Sequence, residues 1–134
     1  MEKKLKIKSK IESIRIVENA IDEISTEIGI KQDDYGKILV STLEAVNNAI
    51  VHGNKVNEAK TVRIEITFKE NVLKVSVSDE GMGFKPNEIP DPTRAENIEN
   101  IHGRGVFLMS KLADAIEFNE HGNKVTMYFK NIRT

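Results

Sequence analysis

Val62-Arg63-Ile64-Glu65-Ile66-Thr67-Phe68 alternates apolar and polar side chains, and after Glu70-Asn71 the alternation resumes in Leu73-Lys74-Val75-Ser76-Val77. A period of two puts one set of side chains on each face of a strand, so these segments predict a β-hairpin with one buried face. Toward the N-terminus, Ile38, Leu39, Thr42, Leu43, Val46, Ala49 and Ile50 form a helical stripe. They predict a helix from near Asp33 to about Gly53, stopped by Gly53-Asn54. Ile14, Val17, Ile21, Ile24 and Ile28 recur at intervals of three and four and predict an earlier amphipathic helix closed by Gly29. Leu5 and Ile7, set among Lys4, Lys6 and Lys8, predict a short strand at a sheet edge, where lysines discourage mispairing.

Toward the C-terminus, residues 84–102 hold all three prolines, Pro86, Pro90 and Pro92, with little periodicity, and predict a loop. Val106, Phe107, Met109, Leu112 and Ala113 then suggest a short helix entered through Gly103-Arg104-Gly105. Ile116 and Phe118, followed by Val125, Met127 and Phe129, predict a closing hairpin around His121-Gly122. The order is strand, two helices, hairpin, loop, helix, hairpin. It predicts an α/β two-layer sandwich in which a mixed, mostly antiparallel sheet is covered on one face by three helices.

A chain of 134 residues is the length of a single domain with one core, so one site is expected. Twenty basic and twenty-one acidic side chains leave a formal charge of −1, which offers no global field to gather nucleic acid or an anionic membrane. The absence of cysteine excludes disulfides and thiolate metal sites. No apolar run approaches the ~20 residues that span a bilayer, and the first residues do not read as a signal sequence. A cytoplasmic protein is expected, with no direct nucleic-acid or membrane partner.

Glu44 and Asn48 lie four apart on the second helix and differ by only ~40° around its axis, so they project from one side. A carboxylate beside an amide oxygen can polarise a hydroxyl while holding Mg²⁺, a cation that takes few protein ligands and completes its shell with phosphates and water. For the pair alone, a solvated Glu with a surface or capping Asn is the plainer alternative. Asp79 shares the parity of Leu73, Val75 and Val77 and should face the buried side, where a carboxylate needs a donor such as an exocyclic amine. The competing reading ends the strand earlier and makes Asp79 the start of a turn with Gly81 at positive φ. Gly81-Met82-Gly83 and Gly103-Arg104-Gly105 bracket the loop, and each is either a plain turn or a place where backbone approaches a ligand. The second pair opens a predicted helix, whose N-terminus would attract an anion. His52, His102 and His121 share no metal-ligand spacing. Of these, His52 falls on the Glu44 side of its helix, as a neighbour of the site or as a helix-end residue.

Taken in order, these residues resemble the ATP-binding superfamily of gyrase, Hsp90, histidine kinases and MutL over nearly the whole chain. Glu44-Ala-Val-Asn-Asn48-Ala-Ile-Val-His52-Gly53 is similar to its N box. Asp79-Glu-Gly81-Met-Gly83-Phe84 is similar to its first glycine box, and Gly103-Arg104-Gly105-Val106 to its second. A bare domain of this size most resembles the bacterial anti-sigma factor serine/threonine kinases. That resemblance implies a Bergerat-type fold, ATP and Mg²⁺ as cofactors, Glu44 as general base, Asn48 as metal ligand and Asp79 as the adenine partner. It places Gly81 and Gly83 beneath the base, Gly103 and Gly105 on the phosphates, and an ATP lid at about 84–102. Two positions depart from the pattern. Ile101 stands where many relatives have glycine and some have arginine, which leaves Arg104 or His102 as substitutes toward the γ-phosphate. Gly122-Asn123 replaces a common Gly-Thr, which leaves Asn123 or Thr126 for the adenine contact.

The implied activity is an ATP-dependent protein serine/threonine kinase that sequesters a sigma factor and phosphorylates a small anti-anti-sigma antagonist. A homodimer is a further implied option, with the first strand either joining a partner sheet or remaining an edge. The alternatives are a non-catalytic ATP-gated binding module, against which the presence of Glu44 argues, and a positive switch regulator.

Overall fold

The computed structural model describes residues 1–81 and 101–134, without the side chains of 101–105 and 107. The chain runs through β1 (Glu2–Lys8), α1 (Ile14–Ile28), α2 (Gln32–Asn48), β2 (Thr61–Lys69), β3 (Val72–Ser78), α3 (Ile101–Leu112), β4 (Ala115–Phe118) and β5 (Lys124–Lys130). The alternating segments pair as expected, with Ile64 opposite Val77 and Ile66 opposite Val75. Their turn is made by Glu70 and Asn71, at φ 54° and 64°. Two successive left-handed residues give a tight hairpin turn whose twist matches that of the strands.

The five strands form one sheet in the order β1-β2-β3-β5-β4, and every neighbouring pair is antiparallel. β1 lies at one edge, as its lysines suggested. Ile7, Val62, Ile64, Ile66, Leu73, Val75, Val77, Met127 and Phe129 point to the helix side and are buried. Their sequence neighbours Arg63, Glu65 and Lys74 stay exposed on the far face. Only one face is apolar, which is why the helices gather on it.

Val17, Ile21 and Ile24 of α1 and Ile38, Ala45 and Val46 of α2 join that core, with Ile14 and Ile28 packed at its margin. Gly29, at φ 74°, ends α1 in the left-handed conformation that glycine adopts without penalty. Asp33 and Asp34 occupy the first turn of α2, where negative charge suits the helix dipole. The helical path continues beyond Asn48 as a π-helical turn, Ala49–Gly53, marked by the Asn54 N–H bond to the Ala49 carbonyl at 2.8 Å. The predicted stop at Gly53-Asn54 is thus reached through a wider turn, a feature often found at functional sites.

The last helix differs from expectation. Gly103, Arg104 and Gly105 lie inside α3, which already includes Ile101, instead of forming its entrance. Two glycines lower helix propensity by only about 1 kcal/mol each. The buried side chains of Val106 and Met109, packed into the core between α2 and the sheet, outweigh that local signal. Ile101 and His102, assigned to the loop by composition, belong to this helix. The rest of the expected lid, residues 84–100, lies outside the described residues, as does Gly83. No described helix is long and apolar enough to cross a membrane.

Candidate functional site

The helical stripe of α2 faces the sheet, and its flank turns toward the space beside α3. Asn48, the π-helical turn and the end of β3 enclose a cavity of 420 Å³ there. Ala45, Ala49, Val77, Val106, Met109 and Val125 make its walls largely apolar. Asn48 and His52 line it from the helix side, Asp79 from the end of β3, and Gly122 and Asn123 from the β4–β5 turn. Sequence elements separated by most of the chain therefore meet in one concavity, of the size and lining typical of small-molecule sites.

Asp79 is held by its backbone. β3 ends at Ser78, so both sequence readings hold in part: the strand has stopped, and the side chain still keeps the inward parity of Val77. Its N–H donates to the Asn123 carbonyl at 2.9 Å, and its Oδ1 accepts from the Gly81 N–H at 2.8 Å. Burial pushes the Asp79 carboxyl above its ordinary value, while the Gly81 bond and the charge of Lys60 pull the other way. A partly buried carboxylate gains from a ligand donor.

Gly81 is not a positive-φ turn residue; Gly29 and Gly122 are the described glycines in that region. Its need for glycine is spatial. A Cβ on Gly81 would stand 2.2 Å from the Gly53 carbonyl oxygen, and one on Gly53 would stand 2.4 Å from both Cγ and Oδ2 of Asp79. The end of α2 and the Asp79 loop are thus pressed together at two glycines. Gly53→Ala is expected to lower stability by about 1–3 kcal/mol through overpacking and to displace the Asp79 carboxylate. Urea denaturation checks the first effect. An unchanged midpoint would mean that the loop yields at no cost.

Asn48 carries a buried Nδ2 with no hydrogen-bond partner among the described residues. Such a group in a cavity wall is suited to a ligand acceptor, and rotation of the amide by 180° offers Oδ1 to a cation instead. Glu44, one turn earlier, is half-buried and is not among the residues lining the cavity. The pair thus share a side of α2, as expected, but only Asn48 reaches the cavity.

At the β4–β5 turn, Asn119 holds Asn123 through two bonds: its Nδ2 donates to Asn123 Oδ1 at 2.7 Å, and its Oδ1 accepts from the Asn123 N–H at 3.0 Å. Thr126, the other candidate beside the base, turns to the far face of the sheet, where its Oγ1 lies 3.1 Å from Ser76 Oγ. Strand parity explains that outcome, because Val125 and Met127 point inward on either side of it. Gly53 and Gly122 also line the cavity, although the sequence reading gave neither a role there. Gly122 is at φ 72° in the β4–β5 turn, whereas the demand for glycine at position 53 comes from Asp79 across the fold.

A family model described as the histidine kinase-like ATPase domain matches residues 7–129. The chain belongs to this family. It is similar to the serine-protein kinase RsbW of Bacillus subtilis (strain 168), with 24% identity over 123 residues, covering 87% of this chain and 77% of the relative. The anti-sigma F factor of Clostridium perfringens (strain SM101 / Type A) is 31% identical over 96 residues, covering 70% of this chain and 69% of the relative. The crystal structure of the RsbU and RsbW domains of a Mycobacterium tuberculosis protein matches with a TM-score of 0.66 at 18% identity, a likeness of fold. The match covers 99% of this chain and 32% of that larger one.

As a histidine kinase-like ATPase domain, the protein binds ATP, and the cavity fits one end of such a ligand. Its apolar walls suit the faces of a purine, and the partly buried Asp79 carboxylate suits an exocyclic amine.

Proposed function

We propose that the protein is an ATP-dependent protein serine kinase that acts as an anti-sigma factor and phosphorylates a small antagonist protein. The observation that carries this reading is the cavity between Asn48 and Asp79. It lies in a chain whose relatives, aligned over most of its length, are named serine-protein kinase and anti-sigma F factor. In this reading the purine lies between the apolar walls with its amine on Asp79, and Asn123 closes the edge of the pocket. Gly81 keeps the loop close beneath the base. Asn48 holds Mg²⁺ through Oδ1, and Gly103, Arg104 and Gly105 contact phosphate from α3. Mg²⁺, when bound, offsets charge on the phosphate oxygens.

Glu44 lies just beyond the cavity, on the same side of α2 as Asn48. That placement suits a base that meets a hydroxyl brought by a second protein instead of touching the nucleotide. The carboxylate accepts the proton of the incoming serine as its oxygen attacks the γ-phosphorus, and ADP departs. Positioning and charge compensation account for most of what phosphoryl transfer asks of a protein.

The test is transfer of label from γ-labelled ATP to candidate antagonists encoded nearby, with sigma-factor capture measured in parallel. Phosphoserine or phosphothreonine on one antagonist is expected. ATP binding and partner capture without any transfer would replace the kinase with an ATP-gated binding module, and phosphorylation without sigma capture would favour a positive switch regulator.

A further inference from the structure

We propose that Asn54, seated on Ser9, is a positioning residue for Asp79, so that selection of the adenine amine depends on a buried hydrogen-bond clamp outside the cavity. The inference rests on the reading of Asp79 as the adenine partner. Neither Asn54 nor Ser9 lines the cavity, and both are fully buried, at 0% exposure. Asn54 Nδ2 donates to Ser9 Oγ at 2.7 Å and to the Thr61 carbonyl at 3.0 Å, and Oδ1 accepts from the Glu80 N–H at 2.8 Å. Ser9 Oγ in turn donates to the Lys60 carbonyl at 2.8 Å. The side chain thus joins the chain after β1, the start of β2, the end of the π-helical turn and the loop after β3.

The bond to Glu80 is the consequential one. Asp79 sits between two anchored peptide groups: its own N–H is held by Asn123, and the next N–H by Asn54. The first anchor limits rotation about φ of Asp79 and the second about ψ. With both in place, the carboxylate is aimed by backbone geometry before any ligand arrives, the preorganisation that a selective polar contact needs. The chain beyond Asn54 bears a conformational cost consistent with this role. Lys55 and Val56 both adopt left-handed backbone, at φ 56° and 55°. That region is unfavourable for a β-branched residue and persists where surroundings over-determine it. Here the Val56 N–H bond to the Ile50 carbonyl at 2.8 Å and the Asn57 N–H bond to the Asn54 carbonyl at 3.0 Å hold it.

A purely structural role would weaken every ligand alike, so the discriminating readout is a ratio. Inosine triphosphate presents a carbonyl where ATP presents its amine, and thus lacks the donor that Asp79 receives. Calorimetric titration of the full chain with each nucleotide and Mg²⁺ gives the preference for ATP in wild type, Asn54→Ala, Ser9→Ala and Asp79→Asn. Asn54→Ala is expected to reduce the preference roughly tenfold, as loss of one well-made buried hydrogen bond would. Ser9→Ala leaves Asn54 its bond to Thr61 and is expected to reduce it roughly threefold. Should Asn54→Ala fail to fold, Ser9→Ala decides. If Asp79→Asn shifts the ratio while the folded Ser9 and Asn54 variants keep the wild-type value, the clamp is overturned. If Asp79→Asn also keeps that value, the reading of Asp79 falls and the clamp falls with it.

Discussion

Glu44→Gln is expected to bind ATP with wild-type affinity and to transfer its γ-phosphate on the order of 10²- to 10⁴-fold more slowly, the loss that follows removal of a general base. The substitution keeps the shape of the side chain and the helical backbone of α2. It leaves the cavity lining unchanged, because Glu44 is not part of it. Asn48→Ala differs in kind: it removes an amide from the cavity wall and should weaken Mg²⁺-dependent nucleotide binding, with transfer falling as a result. Sigma-factor capture in the Glu44→Gln protein should persist, since it requires the nucleotide-bound surface and not the chemistry. Single-turnover transfer paired with nucleotide titration separates the two variants. Transfer at the wild-type rate by Glu44→Gln would remove Glu44 from the reaction.

Asp79→Asn should lower ATP affinity roughly 100-fold, because the adenine amine loses a charged acceptor in a partly buried site. The same change should leave the fold at least as stable as wild type at neutral pH. Asn retains an Oδ1 to accept from the Gly81 N–H, and it removes a carboxylate that burial makes unfavourable. The direction of the pH dependence follows from that raised value. The folded protein holds the Asp79 proton more tightly than the unfolded chain does, so ionised Asp79 costs stability above its folded pKa. That cost fades as pH falls through the raised value and is gone below the ordinary carboxylate range. The advantage of Asp79→Asn in melting temperature should therefore be largest near neutrality and close in acid. ATP binding uses the ionised form and should tighten as pH rises through the same interval. Thermal melts and ATP titrations across pH check both slopes, and a variant that melts lower at neutral pH while binding ATP normally would contradict the assignment.

Local periodicity made most of the architecture legible from the amino-acid sequence. The alternations at 62–68, 73–77 and 125–129 specify strand faces, and the isoleucine stripe of α1 specifies a helix face, because each pattern depends only on how successive side chains leave the backbone. Ordered polar residues on those elements, with the resemblance they carry, pointed to Asn48, Asp79 and Asn123, and the fold brings these to one cavity. The start of α3 was misplaced because two glycines are a strong local signal, whereas the packing of Val106 and Met109 is tertiary.

What only the tertiary structure decided are contacts between positions with no common periodicity. Gly53 must be glycine because Asp79 lies against it, Gly81 because the Gly53 carbonyl does, and Asn54 is buried because Ser9, Thr61 and Glu80 converge on its amide. Thr126 is lost to the cavity because strand parity turns it toward Ser76. Packing at van der Waals distance and hydrogen bonding near 3 Å are set by how the end of α2 meets the ends of β2 and β3. That meeting is a property of the assembled layers and is carried by no single stretch of chain.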